Sequence, residues 1–360
     1  MLPVPHPITT DSGIAPSSGI SSGGSWQREL AGAIRSAEDL LLRLGLVQPQ
    51  EALETAFSRL GIPDHNADFL RRFPVLVPEN FLTRMRPGDA SDPLLRQVLP
   101  LTAEADVVEG FVADAVGDLV ARRTDGVIQK YEGRVLLIAA SACAVHCRYC
   151  FRRDYPYEAE PRRLDDWQPA IAEIASDTTI TEVIFSGGDP WMLSDQRLKA
   201  LCLAIDAIPH IERIRFHTRL PIVLPSRVTE ELLTGLRDFR SQAIVVVHAN
   251  HANEIVGDCE TALRTIVRAG IPVLNQSVLL AGVNDSVDTL ESLSRRLVNI
   301  GVIPYYLHQL DQVSGTAHFK VATSRGLELL DELSSRLPGY AVPRYVQEVP
   351  GRTGKTPIRS

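Results

Sequence analysis

The sequence predicts an α/β protein built on a parallel sheet, and its strand count points to a partial (β/α)6 barrel. Three observations carry that prediction. Short apolar runs rich in β-branched residues recur six times between residues 135 and 309. Helix-patterned segments separate them, which is the signature of repeated βα units. Polar, reactive residues gather just after several runs, where the catalytic face of such a barrel lies. Six strands are too few for a closed eight-stranded barrel, and spacing alone leaves an open doubly wound sheet as the alternative.

Taken in order, residues 1–25 are rich in Ser, Gly and Pro and are expected to be disordered. From Trp26 to about Leu46, Leu30, Ile34, Leu40, Leu41 and Leu44 recur at helical spacing, which predicts a helix. A mixed, Pro-punctuated region continues to about Gln129 without evident chemistry, so 26–129 reads as a mainly helical N-terminal extension. The core is expected over 130–322. Its strand runs are 135–140, 182–186, 213–218, 243–249, 273–280 and 302–309, with helical patterns at 193–208, 229–238, 259–269 and 287–300. A last helix at 323–337 opens a C-terminal segment, 323–360, that ends in a glycine-bordered lysine.

Composition narrows the class. At 360 residues, 44% hydrophobic and 22% charged, the chain has the make-up of a soluble enzyme with one large domain and an appendage. A net charge of −7 argues against nucleic acid as partner. Neither a secretory signal nor a membrane-length apolar run is evident, so a cytoplasmic protein without membrane contact is expected. Five cysteines with three in one loop do not form a disulfide framework, and Cys202 and Cys259 read as core thiols on helices.

The chemistry concentrates in Cys143, Cys147 and Cys150, spaced C-x3-C-x2-C. Three thiols leave a tetrahedral zinc site, or a fully ligated cluster, one protein ligand short. They suit three irons of a [4Fe–4S] cube whose fourth iron is open to a small molecule. The alternative is a zinc knuckle completed by His146. After the second run come Ser186, Gly187, Gly188 and Asp189, where two residues without Cβ let backbone approach a ligand closely. A plain tight turn is the alternative there. Asp311 follows the sixth run. Lys355 has the amine that forms Schiff bases with pyridoxal phosphate, although a tail lysine is more often merely solvated.

These residues belong to a longer series: DPLLRQVLP, KYEGRVLL, CAVHCRYCFRRDYPY, FSGGDP, RLPIVLPSRV, HANHANEI, LNQSVLL, PYYLHQLDQVSGTAHF and GKTP. The series resembles the lysine 2,3-aminomutase family of radical S-adenosylmethionine (SAM), pyridoxal-phosphate enzymes. Within it, the bacterial branch that makes (R)-β-lysine for modification of elongation factor P is the best likeness. The resemblance covers most of the chain beyond residue 26. It implies an isomerase of the radical SAM type that converts (S)-α-lysine to (R)-β-lysine, with a [4Fe–4S] cluster, SAM and pyridoxal phosphate. Cys143, Cys147 and Cys150 would hold the cluster, with the aromatic Tyr149 before the last of them. Ser186, Gly187, Gly188 and Asp189 would hold the SAM amino group, while His248 and Gln276 would contact SAM. Lys355 would carry pyridoxal phosphate, with Lys130, Tyr131 and Arg134 near its phosphate. Arg152 would hold the substrate carboxylate, and Asp311 with Glu348 its distal ammonium.

The resemblance further implies L-lysine as substrate and a donor such as flavodoxin or ferredoxin. Elongation factor P and its lysine ligase would be functional partners, and a homo-oligomer is left open. Departures are visible. Arg352 and Thr353 break the glycine-rich run before Lys355. Glu348 stands where the free-lysine enzymes carry Asp, and His308 where they carry Tyr. Those enzymes' C-terminal zinc-binding cysteines have no counterpart. The rival readings are a free-lysine mutase of catabolism or biosynthesis and, from another class, an iron–sulfur redox sensor.

Overall fold

Strand formation begins earlier than the sequence suggests. In the computed structural model, which describes residues 25–63 and 67–359, β1 (Arg122–Thr124) and β2 (Val127–Tyr131) form an antiparallel hairpin leading into β3 (Arg134–Ala140). The boundary expected at residue 130 therefore falls inside β2. The barrel strands follow as β4 (Glu182–Gly187), β5 (Arg213–Thr218), β6 (Gln242–Val247), β7 (Val273–Val278) and β8 (Ile303–His308). β3 to β8 are parallel and neighbour one another in chain order, as a partial (β/α)6 barrel requires. Besides β1 and β2, two more strands were not foreseen: β9 (Arg344–Gln347), parallel to β8, and β10 (Thr356–Pro357), antiparallel to β9.

The strands form where the sequence stacks Val, Ile, Leu and Phe, because both faces are covered. Outward residues such as Leu137, Phe185, Phe216 and Val245 are fully buried under the helices, with the Phe185 and Phe216 rings 5.1 Å apart. Burying each such side chain stabilises the fold by about 1.5–3 kcal/mol. Inward residues alternate with them, and Leu136, Ile184, Arg215, Ile244, Leu274 and Tyr306 line the barrel cavity. Helices start where a hydroxyl caps them: Ser194 before Asp195–Asp206, Thr229 before Glu230–Arg237 and Ser286 before Val287–Asn299. Cys202 and Cys259 are buried on helices, as expected.

The helix expected from Trp26 to Leu46 is two helices, Ser25–Ala31 and Ala37–Arg43. Gly32 weakens the helix between them, Ser36 caps the second, and Ile34 pairs its backbone with Val77 at 2.8 and 3.0 Å. Apolar spacing continues across the break because both pieces bury Trp26, Leu40 and Leu41 in one core shared with the barrel. Apart from Ser25, the segment expected to be disordered lies outside the described residues. Among the described residues no helix is long and apolar enough to cross a membrane.

Candidate active site

A cavity of about 1050 Å³ opens at the C-terminal ends of the barrel strands, and every residue singled out from the sequence as a site residue lines it. That volume exceeds what one small cofactor needs. Its two halves are built differently.

The first half is the loop after β3 that carries the cysteines. The extension holds it: His146 N donates to Leu76 O at 3.0 Å and Arg148 N to Gln97 O at 2.8 Å. The fully buried Arg148 points away from the thiols to Glu104 and to Phe73 O, at 2.8 and 2.7 Å. His146, the alternative fourth zinc ligand, is held on the extension through Pro74 O at 2.8 Å and a stack on Phe73. Among the described residues no three His, Cys, Asp and Glu side chains converge on a single-ion point. A cubane asks for less, since each thiolate takes its own iron. Burial pushes the Cys143 thiol well up and Cys150 to about 11, a bias that bound metal reverses by deprotonating the thiols.

Arg219 escaped the sequence reading. Its Nη1 donates to Cys147 Sγ at 2.6 Å, and its Nη2 to Glu254 and Gln97 at 2.9 and 2.7 Å. A cation bonded to a cluster sulfur tunes its potential. The Gly187–Gly188 pair also has a packing purpose that the sequence did not suggest. A Cβ on either glycine would come under 3.0 Å from backbone of Ala140 or Ala142, so the close approach is to the cysteine loop itself. Gly188 N and Asp189 N donate to Ala140 O and Ala142 O at 2.8 and 2.9 Å, locking the two loops together. Asp189 accepts from Thr218 Oγ1, Arg219 N and Trp191 N, yet burial still lifts its carboxyl to about 6. Beyond it, burial pushes His248 down to about 3; as a neutral ring it accepts from the Gln276 amide at 2.9 Å.

The second half joins the β2–β3 hairpin, the end of β8 and the tail. Glu348 accepts from Tyr131 Oη at 2.6 and 2.7 Å and pairs with Lys355. Burial works against its charge, but Lys355 and Tyr131 outweigh it and hold the carboxyl below its usual range. The acid assigned to a substrate ammonium thus holds the chain's own lysine here. Arg134 lies over the Tyr131 ring at 4.6 Å. Arg152 donates from Nε to Asp118 at 2.6 Å and from Nη1 to Ser186 Oγ at 3.0 Å, leaving Nη2 unbonded among the described residues. Asp311 is half-buried, its carboxylate makes no hydrogen bond among the described residues, and burial lifts it to about 6.

Two further histidines belong to the site, His217 unforeseen and His308 noted in the sequence only as a departure from the free-lysine enzymes. His308, at the end of β8, and His217, on β5, line the cavity with Nε2 buried and without a partner among the described residues. Burial holds both well below the usual imidazole range, so both rings are neutral. Buried polar atoms without partners are rare, and here they face a cavity that a ligand would fill.

Residues 131–213 match the family model described as a 4Fe-4S single cluster domain. The chain is 39% identical over 333 residues to the L-lysine 2,3-aminomutase of Escherichia coli (strain K12), covering 92% of this chain and 94% of that protein. Its likeness to the L-lysine 2,3-aminomutase of Haemophilus influenzae is 38% over 332 residues, covering 92% and 95%. The L-lysine 2,3-aminomutase of Clostridium subterminale is 31% identical over 334 residues, covering 92% of this chain and 77% of that protein.

Proposed function

The chain belongs to the lysine 2,3-aminomutase family, and from that premise we propose that it moves the α-amino group of L-lysine to the β-carbon, yielding (R)-β-lysine. It is an isomerase of the radical SAM class that works with a [4Fe–4S] cluster, SAM and pyridoxal phosphate. One observation carries the reading: three thiols without a fourth ligand and a lysine amine face a single cavity, 205 residues apart between Cys150 and Lys355. When bound, the cluster and SAM supply a carbon radical, and pyridoxal phosphate supplies the π-system across which nitrogen migrates.

The chain's own groups bind and orient. Cys143, Cys147 and Cys150 would hold the cluster, with Arg219 bonded to one sulfur. Ser186, the Gly187–Asp189 loop, His248 and Gln276 would hold SAM. Lys355 would hold pyridoxal phosphate, with Lys130, Tyr131 and Arg134 around its phosphate. Arg152 has Nη2 open for the substrate carboxylate. Asp311, unpaired, and Glu348 would take the distal ammonium, and a neutral side chain of equal length would leave buried charge uncompensated.

The division into an extension over 26–129, a core over 130–322 and a cofactor segment over 323–360 is part of the same proposal. So is a role in supplying β-lysine for elongation factor P and its ligase, in the cytoplasm, with reduction by a flavodoxin or ferredoxin. Support for that branch comes from the CRYCFRRDYPY segment and from His308 and Glu348, which differ from the free-lysine enzymes. The test is anaerobic turnover of L-lysine by reconstituted protein, with chiral chromatography of the product. Product that disappears in Cys147→Ala and Lys355→Ala supports the reading, and SAM cleavage without β-lysine refutes the substrate. Co-expression with elongation factor P and its ligase, read by intact mass, tests the branch; an unmodified factor beside active enzyme refutes it.

A further inference from the structure

We infer that Asp118 is a positioning residue that couples cofactor binding to substrate binding, acting as the shared counter-ion of Lys130 and Arg152. The inference rests on the proposed roles of those two cations, near the cofactor phosphate and the substrate carboxylate. Asp118 has no place in the motifs and lies in the region before Gln129, which carries no evident chemistry in the sequence.

The geometry is specific. One carboxylate oxygen of Asp118 pairs with Lys130 Nζ at 2.5 Å and the other accepts from Arg152 Nε at 2.6 Å. The residue is 1% exposed, so these contacts lie out of water, where a charge-assisted bond is strong and a lost partner costly. Its loop is fixed at both ends of the contact: Asp118 N donates to Asp114 Oδ1 at 2.9 Å, and Lys130 Nζ also donates to Val116 O at 2.7 Å. Burial pushes the carboxyl up, but Arg152 and Lys130 outweigh that and hold it at about 2, so it is ionised at any working pH.

Two consequences follow for the cations. Lys130 on β2 and Arg152 beyond the cysteine loop would repel each other without the carboxylate between them. With Nε on Asp118 and Nη1 on Ser186, the Arg152 guanidinium has one orientation, and it is the one that leaves Nη2 unbonded. A carboxylate shared in this way transmits occupancy: an anion on Lys130 draws that cation from Asp118, which then binds Arg152 harder, and the reverse also holds. Linkage of this kind is reciprocal.

The experiment uses the full chain with its cluster reconstituted anaerobically. Parent and Asp118→Asn proteins are titrated with pyridoxal phosphate, with and without saturating L-lysine, following the absorption of the lysine-bound cofactor. KM and kcat for L-lysine are measured beside it. We expect the cofactor Kd and the lysine KM each to rise about tenfold or more in Asp118→Asn, about 1.4 kcal/mol apiece. We expect kcat to change less, and the effect of lysine on cofactor affinity to shrink. Binding as tight and as coupled as the parent's overturns the inference, as does a loss of kcat with both affinities intact. A purely structural Asp118 would lower Tm without splitting KM from kcat, and that outcome also overturns it. If Asp118→Asn loses iron, Asp118→Glu takes its place: it keeps the charge but displaces it, so both affinities are expected to fall, and parental affinities in it overturn the inference. A parent that takes up no pyridoxal phosphate, or makes no β-lysine, refutes the aminomutase reading instead, and the coupling falls with it.

Discussion

Asp311→Asn tests whether the substrate's charge is read by a carboxylate that the protein itself leaves unpaired. Burial lifts Asp311 from 3.8 to about 6; Lys355 and Lys130 pull it down and Glu348 and Asp118 push it up, but burial dominates. At about 1.36 kcal/mol per pH unit, the ionised form costs the empty protein about 3 kcal/mol at neutral pH. Asp311 is half-buried, and solvent screening brings this to roughly 1.5 kcal/mol. The sign is fixed by linkage. With the folded pKa above the unfolded one, this group's contribution to the empty protein's stability is full below 3.8 and lost as pH rises through about 6. A bound ammonium has the opposite preference, because it pairs only with the carboxylate. KM for L-lysine is therefore expected to rise as pH falls through about 6, by up to about tenfold per pH unit below it. Asp311→Asn removes both effects. Unfolding in urea at pH about 8 becomes harder by roughly 1 kcal/mol, while KM rises by about 10–100-fold and loses that pH dependence. The assays are urea midpoints of the empty protein and lysine saturation curves across the window. The same acid limb of KM in the Asn variant would show that another group reads the ammonium, and the role of Asp311 would be refuted.

Three other changes probe the rest of the cavity. Gly188→Ala puts a Cβ under 3.0 Å from the Ala142 backbone, so iron per chain and Tm are both expected to fall, with about 2 kcal/mol or more of destabilisation; unchanged iron content refutes the locking of the two loops. His308→Leu removes a buried nitrogen without a partner, so the empty protein gains about 1 kcal/mol while its retention of pyridoxal phosphate on dialysis drops. Equal signs on the two readouts would mean that His308 meets no ligand. Arg219→Lys trades a fixed guanidinium for a shorter cation at Cys147, and a potential titration followed by electron paramagnetic resonance is expected to move negative by roughly 60 mV. No movement would mean that the contact does not reach the cluster.

The barrel strands were legible because each carries a short apolar run with buried residues on its outer face, a signal that survives without any knowledge of partners. β9 was not, since Arg344, Tyr345, Val346 and Gln347 form too short a run beside Pro343 to stand out from a tail. Of the site, the thiols and Lys355 were legible through motif and resemblance. Asp118 and Arg219 were not, because what marks them is a partner 34 residues away in one case and 72 in the other. An acid in a loop and an arginine after a strand look like any solvated charge until the fold brings Lys130, Arg152 or Cys147 against them. His217 was hidden, and His308 visible only as a departure from the free-lysine enzymes, for a different reason: their meaning lies in a bond they do not make.

The extension had no chemistry of its own in the sequence, yet the cluster half of the cavity depends on it. Leu76 and Pro74 hold His146, Gln97 holds Arg148 N and Arg219, and Glu104 neutralises both Arg148 and Arg153. Each of these bonds ends on the cysteine loop, on a residue next to it, or on the arginine that touches Cys147. The barrel therefore supplies one wall of the loop through Ala140, Ala142 and the glycine pair, and the extension supplies the other. Removing the extension would take Glu104 from the buried Arg148, a broken pair worth about 3–5 kcal/mol, and would take Gln97 from Arg219, which keeps Glu254. The three thiols would then lie on a loop free to move, and a three-cysteine cluster tolerates that less than a four-cysteine one, because it has no spare ligand.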